Sequence, residues 1–373
     1  MPLLFMFLKN LKLRNFRNFS CESFELSESV NLIMGKNAQG KTNLIEAINC
    51  LIEGNSFRTS RPHEIVFWGE ASTIVEGEVE RYDGCGDVIK LNIIDGKKYF
   101  EVNGKRKMHS LYNGAATVIF SPEDILLLRN SPSARRNYLD SLIARFETGY
   151  RRTLKEYEKI VSQRNRILID AFENRSVLDQ LDIWDQRLIA VGSKVLVYRA
   201  TWVGMIDSEL PVQYSAIAPS DGRASIEYAS ALGDFKNLDV ETISSLFSER
   251  LIERRADEVA RGYTLVGPHR DDILVKIGSK PLKEYGSQGQ LRTTMLALKI
   301  SELELYKKRF GHLPLLLLDD VLSELDEERS RFLLDYLSTE QGQVLVTTTD
   351  TSSPKLWSGM DPKIFTIENG KRV

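Results

Sequence analysis

The 373-residue chain is predicted to adopt an α/β fold, in which a mixed sheet with helices and a β-meander lobe is interrupted by an inserted, mostly helical domain. Three observations predict it. An apolar run, a glycine-containing loop and a helix follow one another over residues 30–48, a second apolar run at 315–320 ends in two carboxylates, and helical periodicity begins near residue 132. We expect head segments at 1–125 and 262–373, and the inserted domain at 126–261.

Residues 7–34 have the pattern of strands, with a turn at Arg17-Asn18. They end in a short apolar run typical of a buried strand, followed by Gly35-Lys36-Asn37-Ala38-Gln39-Gly40-Lys41-Thr42. This octapeptide fits G-x-x-x-x-G-K-[ST] between a strand and a helix, which is the context that a phosphate-binding loop requires. The helix is predicted to run to about Glu53, where Gly54 ends it.

The residue types in this loop predict a nucleotide site. Gly35 and Gly40 permit a turn tight enough to point backbone N–H groups at a phosphate, and the helix N-terminus adds positive potential. Lys41 can reach the β- and γ-phosphates, and Thr42 can hold Mg²⁺. We therefore predict that the loop Gly35–Thr42 binds ATP with Mg²⁺. The alternative is a plain glycine turn between a strand and a helix.

The rest of the first segment contains a basic loop and a meander. The loop at residues 56–62 carries Arg58 and Arg61. Residues 72–107 alternate in polarity and contain turn-forming pairs, so they predict consecutive antiparallel strands. The pairs are Asp83-Gly84, Asp95-Gly96 and Asn103-Gly104.

The central part of the chain is predicted to be mostly helical. Two apolar stripes, at 154–168 and 181–202, predict two long helices joined near 173–175 as an antiparallel hairpin. These stripes are better explained by packing than by cofactor binding. Residues 211–232 are expected to form short strands and turns, followed by a helix near 240–258.

The last part of the chain is predicted to return to the sheet, with a strand at 263–266. The later run Leu315–Leu318 is apolar throughout and suits a strand buried on both faces of a parallel sheet. It ends in Asp319 and Asp320, at the carboxyl end where α/β folds place ligands. We assign Mg²⁺ binding to Asp319, and the orientation or deprotonation of the attacking water to Asp320.

Two short motifs flank this strand. Ser287, Gly289 and Gln290 open an amphipathic helix, and residues 323–326 follow the carboxylates. A Ser-Gln-Gly-Gln turn at a helix N-terminus is a second anion site, and it makes sense if it completes the nucleotide site of a partner chain. The alternative is a capped helix in which Ser287 is the N-cap.

The amino-acid composition limits the classes of protein to which this chain could belong. The net charge of −2 means that any contact with nucleic acid needs a local basic patch. Three separated cysteines favour reduced thiols in a cytosolic protein, and four histidines without i, i+4 spacing argue against a histidine metal centre. The apolar stretch at residues 1–8 is too short to span a bilayer, and no other run of membrane length is recognised, so no membrane association is expected.

Together these motifs resemble the ATP-binding-cassette ATPase heads, and most closely the branch that contains SMC proteins and the RecF family. Ser287–Gln290 looks like the cassette signature, and Ser323–Asp326 looks like its D-loop. The resemblance to RecF extends over nearly the whole chain. It is carried by four ordered blocks, at residues 11–19, 121–140, 265–272 and 285–293.

The resemblance implies a cytoplasmic bacterial ATPase of recombinational repair. It implies binding to single-stranded, double-stranded and gapped DNA, an ATP-dependent homodimer, slow, DNA-dependent ATP hydrolysis that releases the dimer, and cooperation with RecR and RecO in recombinase loading. It assigns catalysis to Lys41, Asp319, Asp320 and Ser287, and nucleotide binding across the dimer to Ser287, Gly289, Gln290 and Asp326.

The chain also departs from the cassette pattern. Asp320 stands where transporter cassettes have a catalytic Glu, and Thr348 stands where they have the switch His. Arg58 and Arg61 lie in the loop where SMC heads carry a DNA-sensing Arg, so we name them as candidate DNA contacts. Two other functions stay open: the ATPase subunit of a membrane transporter, and a DNA scaffold with a degenerate nucleotide site. The His269-Arg270-Asp271 block either touches nucleotide or a partner, or forms a strand-end salt-bridge turn.

Overall fold

The computed structural model describes residues 6–81, 85–107, 116–129, 131–233, 239–340, 342–349 and 357–373. The predicted turn Asp83-Gly84 lies outside them. The chain forms two compact units, one made of Met1–Asp124 with Glu302–Val373 and the other of Ile125–Ser301. The second unit begins next to the predicted residue 126 but ends at Ser301 instead of 261.

The elements follow the predicted order. The strands of the first unit are β1 Met6–Phe16, β2 Phe19–Glu25, β3 Val30–Met34, β4 Ser72–Arg81, β5 Gly86–Ile94, β6 Lys97–Val102, β7 Lys105–Lys107, β8 Thr117–Phe120, β12 Leu315–Asp319, β13 Val344–Thr348, β14 Lys363–Glu368 and β15 Lys371–Arg372. Those of the second unit are β9 Ala224–Ala229, β10 Asp272–Ile277 and β11 Lys280–Pro281. The helices are α1 Lys41–Glu53, α2 Pro122–Leu127, α3 Pro132–Phe146, α4 Tyr150–Asp170, α5 Leu181–Ile217, α6 Val240–Arg261, α7 Leu282–Tyr285, α8 Gln288–Phe310 and α9 Glu327–Thr339.

The first unit contains two six-stranded sheets. One is antiparallel in the order β2-β1-β4-β5-β6-β7, which confirms the predicted meander. Its hairpins turn at Asp95-Gly96 and Asn103-Gly104, where all four residues have positive φ, as two-residue hairpins require. The other sheet has the order β15-β14-β3-β13-β12-β8, with parallel pairing from β14 to β8.

The core of the first unit lies around α1. Leu44, Ile45 and Ile48 of this helix are fully buried and belong to one apolar cluster with residues of both sheets. All five residues of β12 and all five of β13 are buried, as expected for central parallel strands. The predicted end of α1 is confirmed, because Gly54 caps it in the left-handed conformation at φ 79°. The loop before α1 therefore lies between a buried strand, β3, and a buried helix.

The second unit consists mainly of α3–α6 and the antiparallel sheet β11-β10-β9. Helices α4 and α5 form the predicted hairpin. Because β10 pairs with β9, the residues of β10 that follow α6 belong to this unit, so the unit extends beyond residue 261. The predicted strands and turns from residue 211 are wrong at their start, since α5 continues through Pro211 to Ile217. Leu210, Tyr214 and Ile217 extend its buried face at helical spacing.

The predicted strand at 263–266 is also wrong. Side chains satisfy this backbone instead of a neighbouring strand: Thr264 N donates to Asn165 Oδ1 at 2.8 Å, and Leu265 N donates to Glu258 Oε1 at 2.7 Å. A run of apolar and β-branched residues is insufficient to form a strand when buried polar side chains supply the hydrogen bonds.

Helix α5 requires a correction to the expectation about membrane-length runs. Arg175–Ile217 is, among the residues described, the one segment long and apolar enough to cross a membrane by length and composition alone. Its apolar positions Leu188, Val195 and Trp202 are buried, and α5 contacts α4, α6 and β9. These contacts are those of a core helix, which passes the same length and composition test.

A buried ion network joins the helices of the second unit. Arg164 and Glu258 are fully buried, and Arg164 Nη2 donates to Glu258 Oε2 at 2.6 Å. The same guanidinium donates from Nε to Asp185 Oδ1 at 2.6 Å and from Nη1 to Thr264 Oγ1 at 2.9 Å. Since every branch of Arg164 has a partner, the charge is compensated, and removing it would leave Glu258 as a buried, unpaired carboxylate.

Arg164→Met should therefore lower the free energy of unfolding by about 3–5 kcal/mol, measured by urea denaturation. Arg166→Met is the matched control, because Arg166 is on the same helix, has 78% of its side chain exposed and makes a 4.0 Å ion pair with Asp170. Its loss should cost less than about 0.5 kcal/mol. Equal losses in the two variants would show that the buried network does not stabilise this unit.

Candidate nucleotide-binding site

The predicted phosphate loop connects β3 to α1 at the carboxyl end of the parallel strands. Gly40 is the N-cap of α1, with φ 118°, and Ala38 also has a positive φ of 63°. Two left-handed residues within three positions fold the backbone into a compact loop before the helix N-terminus. Such a loop directs backbone N–H groups and the helix dipole toward an anion.

Close contacts explain why the loop needs its two glycines. A Cβ atom on Gly35 would lie 2.4 Å from the carbonyl oxygen of Ile367 in β14. One on Gly40 would lie 2.7 Å from Nδ2 of Asn18, and the positive φ of Gly40 would add strain. The loop is therefore packed against β14 on one side and against the β1–β2 turn on another.

Lys41 lies over the loop that precedes it. Its Nζ donates to the carbonyl oxygens of Gly35 at 2.7 Å and Lys36 at 3.0 Å, and the residue is only 6% exposed. Burial lowers the pKa of Lys41, while the carboxylates of Asp320 and Asp319 oppose this shift. A cation held between the loop and two carboxylates is suitably placed to bind phosphate oxygens.

Thr42 and Asp319 are brought together, although 277 positions separate them in the chain. Thr42 Oγ1 donates to Asp319 Oδ1 at 3.0 Å. Both groups are hard oxygen ligands, which Mg²⁺ prefers, and Mg²⁺ commonly takes only one or two protein ligands beside phosphates and water. The described residues contain no cluster of three or more His, Cys, Asp or Glu that could hold a metal ion.

Thr347 of β13 is a site residue that the sequence analysis did not identify. Its Oγ1 donates to the same Asp319 Oδ1 at 2.7 Å and accepts from Asp320 N at 2.9 Å. The register of β12 and β13 places Thr347 opposite Asp319, so the contact follows from parallel pairing. The available signal was a second apolar strand ending in threonines.

Asp320 has the environment expected of a proton acceptor. It adopts a left-handed conformation at φ 52°, directly after the buried strand. Burial raises the pKa of Asp320, Lys41 opposes the shift, and the Asp319 and Glu324 carboxylates add to it. A carboxylate with a raised pKa accepts a proton more readily than an ordinary Asp.

A hydrogen-bonded clamp holds Gln39, in the middle of the loop. Asn18 Nδ2 and Gly370 N both donate to the Gln39 carbonyl oxygen at 2.9 Å, and Asn369 N donates to Gln39 Oε1 at 2.6 Å. Asn18 Oδ1 accepts from Asn43 Nδ2 of α1 at 2.8 Å. The β1–β2 and β14–β15 turns thus position the loop, a role that the sequence analysis did not predict.

The signature-like residues belong to the second unit. Ser287 is exposed, and its Oγ accepts from Gln290 N at 3.1 Å while Gln290 Oε1 accepts from Ser287 N at 3.1 Å. This reciprocal capping box is the alternative that the sequence analysis considered for Ser287. Gly289 lies in the first turn of α8. In the first unit, Asp326 caps α9 by accepting from Arg329 N at 3.0 Å.

The predicted DNA-contact arginines both have carboxylate partners. Arg58 Nη1 donates to Asn43 Oδ1 at 2.8 Å and to Glu46 Oε2 at 3.4 Å, and Arg61 Nη1 donates to Glu64 Oε1 at 3.3 Å. Glu46 is fully buried and also accepts from Arg17 Nη2 at 2.6 Å. Phosphate would have to compete with these carboxylates, most strongly at Arg58.

The His269-Arg270-Asp271 block lies in the second unit and makes internal contacts. His269 Nδ1 is 2.6 Å from the Tyr157 hydroxyl, and Tyr228 OH donates to Asp271 Oδ2 at 2.8 Å. Burial lowers the pKa of His269 to about 4 and raises the pKa of Asp271 to about 6. Arg270 packs over the Tyr263 ring at 4.8 Å. These contacts lie within the unit and differ from a salt-bridge turn, which was one of the two alternatives considered for this block.

Comparison with known proteins agrees with this geometry. The family model described as RecF/RecN/SMC N terminal domain matches residues 7–360. The DNA replication and repair protein RecF of Clostridium tetani is 35% identical over 99% of this chain and 100% of that protein, and RecF of Bacillus subtilis is 36% identical with the same coverage. The chain belongs to the RecF family. The resemblance stated from the sequence is thereby confirmed.

Solved structures confirm the RecF-family fold. The structure described as the recombination mediator protein RecF-ATPrS in the RecFOR pathway has a TM-score of 0.90 and 35% identity, and covers 99% of this chain and 98% of that chain. An Smc head domain from Pyrococcus furiosus has a TM-score of 0.55 at 16% identity, covering 98% and 95%, and supports the fold alone. The predicted fold class, a cassette-type head with an inserted helical domain, is confirmed.

The hydrogen-bonded clamp on Gln39 predicts that Gly370→Ala weakens ATP binding. A Cβ there would lie 2.1 Å from the Asn18 carbonyl oxygen and displace the N–H that holds Gln39. Gly104→Ala is the matched control, because its φ of +72° resembles the +70° of Gly370 but nothing lies within 4 Å of its Cβ position. Calorimetric titration with ATP should show a loss of affinity only in Gly370→Ala. Equal ATP affinities of Gly370→Ala and Gly104→Ala would contradict a role of this clamp in ATP binding.

The buried carboxyl of Asp271 predicts a pH-dependent stability difference. Because its pKa is raised to about 6, the folded state retains a proton that the unfolded state releases above about pH 4, so this group destabilises the fold as pH rises. Relative to wild type, Asp271→Asn should gain about 1.4 kcal/mol of unfolding free energy per pH unit between about 4 and 6. The measurement is urea denaturation of wild type and Asp271→Asn at several pH values in this range. If the difference in their unfolding free energies is the same at every pH, the raised pKa of Asp271 is refuted.

Proposed function

We propose that this chain is an ATP-dependent DNA-binding protein of recombinational DNA repair and replication. The observation that carries the proposal is the 3.0 Å bond between Thr42 and Asp319, which joins the phosphate loop to the end of β12. Full-length similarity to proteins named DNA replication and repair protein RecF supports the biological setting. That similarity does not favour the alternative function, in which the chain is the ATPase subunit of a membrane transporter.

The loop side chains have separate roles in this proposal. Lys41 binds the β- and γ-phosphate oxygens, and the loop N–H groups surround the same phosphates. Thr42 and Asp319 would hold Mg²⁺, which when bound neutralises charge on the transferred phosphoryl group. Thr347 fixes the carboxylate of Asp319 through its 2.7 Å hydrogen bond. The intact set of Lys41, Thr42 and Asp319 argues against a degenerate nucleotide site.

Hydrolysis is assigned to Asp320. Its raised pKa supports a role in orienting the attacking water and accepting its proton. An Asp carboxylate has one methylene fewer than the Glu used by transporter cassettes, so its reach toward the water is shorter. This supports slow hydrolysis, and the family resemblance suggests that hydrolysis depends on DNA and serves to release a complex.

A second copy completes the site in this proposal. The exposed Ser287 and the half-buried Gln290 lie at the start of α8, whose N-terminus would offer N–H groups and positive potential to the γ-phosphate held by the other chain. Asp326 follows the carboxylates and would lie at the same dimer interface. ATP binding would then drive homodimerisation on DNA.

The family resemblance supplies the wider setting. It supports a cytoplasmic protein that acts at single-strand gaps with RecR and RecO to help load recombinase. Arg58 and Arg61 stay candidate DNA contacts, and both would exchange a carboxylate partner for phosphate. Such contacts are independent of base sequence and sensitive to salt.

The proposal predicts dimer formation only when ATP, Mg²⁺ and the complete site are present. Sedimentation velocity with gapped DNA should show an ATP-dependent dimer for wild type. Lys41→Met should remove ATP binding and the dimer together, because the phosphate cation is lost. Ser287→Arg should bind ATP as a monomer but form no dimer, because its bulk blocks the second half of the site.

Two controls separate these effects from loss of folding. Lys12→Met removes an exposed lysine of β1 and should dimerise normally. Ser287→Ala loses the hydroxyl and its capping hydrogen bond, at a cost of about 1 kcal/mol to the helix, but adds no bulk, so it should weaken the dimer less than Ser287→Arg does. A dimer that forms equally in Ser287→Arg, or ATP turnover unchanged in Lys41→Met, would overturn the proposed mechanism.

A further inference from the structure

The strand β7 is a basic edge of the antiparallel sheet. We use the name basic edge for its three residues, Lys105, Arg106 and Lys107, all of which are exposed. β7 is the last strand in the sheet order and pairs only with β6, so its other side carries no neighbouring strand among the residues described. Three consecutive cations thus lie along one border of the first unit.

The cations of the basic edge make no ion pair with the residues described, in contrast to Lys9 and Lys90 of the same sheet, although Glu101 lies opposite Arg106 in the register. Lys9 pairs with Glu80 at 2.9 Å, and Lys90 pairs with Glu76 at 2.8 Å. In the part of the chain that the structure describes, no carboxylate lies within 4.0 Å of the basic edge. The sequence contains no Asp or Glu between Glu101 and Glu123, although the chain as a whole has a net charge of −2.

The geometry of the basic edge suits a linear array of negative charges. In the register with β6, Lys105 lies opposite Val102 and Lys107 opposite Phe100, so the two lysines share one face of the strand. Arg106 points to the other face, where its guanidinium lies 4.4 Å from the centre of the Tyr99 ring. Lys105 and Lys107, two residues apart on one face, are separated by about 6.8 Å along the strand, which equals two steps of the axial rise of about 3.4 Å per phosphate on one DNA strand.

We propose that the basic edge binds the phosphate backbone of duplex DNA. The inference rests on the proposed function for the choice of DNA as partner, and it adds a contact surface outside the nucleotide loop and outside Arg58 and Arg61. Each cation here is free to meet phosphate without leaving a carboxylate unpaired. Edge lysines also prevent strand pairing between molecules, and that role alone would leave DNA binding unchanged when they are replaced.

The test compares DNA binding by the full chain, with ATP and Mg²⁺, over a range of salt concentrations. In Lys105→Gln/Arg106→Gln/Lys107→Gln, the slope of log K against log salt should become shallower by about 2.7, since each phosphate contact contributes about 0.9. Between about 50 and 200 mM salt, wild type should therefore lose about 40-fold more affinity for duplex than the variant.

The control is a triple variant with the same change in net charge elsewhere, Arg166→Gln/Arg254→Gln/Arg331→Gln. These three arginines are exposed and make local i, i+3 or i, i+4 ion pairs. It should keep the wild-type slope. Lys105→Arg/Lys107→Arg should also keep it, because the charges remain. Thermal unfolding and ATP titration of each variant verify the fold and the nucleotide site.

Three outcomes would overturn the inference. An unchanged slope in the Gln variant, with normal duplex binding by wild type, would leave the proposed function intact and exclude the basic edge as a contact. A variant that loses affinity for polyglutamate but keeps its affinity for duplex would identify an acidic polypeptide as the partner. Absence of duplex binding by wild type would reject the proposed DNA-binding function together with the inference.

Discussion

The nucleotide site depends on one carboxylate oxygen, Asp319 Oδ1, which accepts hydrogen bonds from Thr42 at 3.0 Å and Thr347 at 2.7 Å. Asp319 is 6% exposed, so its charge would be costly without these partners. The bonds join the first turn of α1 to the ends of β12 and β13. Because β12 and β13 end, and α1 begins, at the same edge of a parallel sheet, the fold brings Asp319, the proposed Mg²⁺ ligand, to the phosphate loop.

The opposite side of the loop is held by backbone geometry. Gly35 packs against Ile367, and the Gln39 carbonyl oxygen accepts from Asn18 and from Gly370. These contacts come from the β1–β2 turn and the β14–β15 turn, near the two ends of the chain. A loop that must surround a phosphate without its own regular structure thus takes its shape from rigid neighbours. The positions of these turns therefore fix the shape of the loop, although neither turn carries a phosphate-binding motif.

Local patterns predicted most of the elements, because a strand, a glycine loop and a helix start each fit within a short window of sequence. The fold brings the candidate site residues Thr42 and Asp319 within hydrogen-bond distance of each other. The errors occurred where distant contacts override such windows. Pro211 lies inside α5 because the helix continues to bury Tyr214 and Ile217, and residues 263–266 are satisfied by side chains of Asn165 and Glu258. Asn18 and Thr347 were missed for the same reason. The partner of Asn18, Gln39, lies 21 positions away in the chain, and the pairing of Thr347 with Asp319 is revealed only by the register of β12 and β13.

The first unit has two basic surfaces, the loop with Arg58 and Arg61 and the basic edge. Binding of phosphate would break existing ion pairs at the first but not at the second. Arg58 donates to Asn43 at 2.8 Å, Asn43 donates to Asn18 at 2.8 Å, and Asn18 donates to Gln39 of the loop at 2.9 Å. Drawing Arg58 toward DNA would break the first of these bonds and also remove one cation from buried Glu46. The basic edge has no such partners, so DNA bound there leaves the loop unperturbed. The surface that provides most of the affinity for DNA can therefore differ from the surface that couples DNA binding to the ATP site, because a strong DNA contact need not change the affinity for ATP.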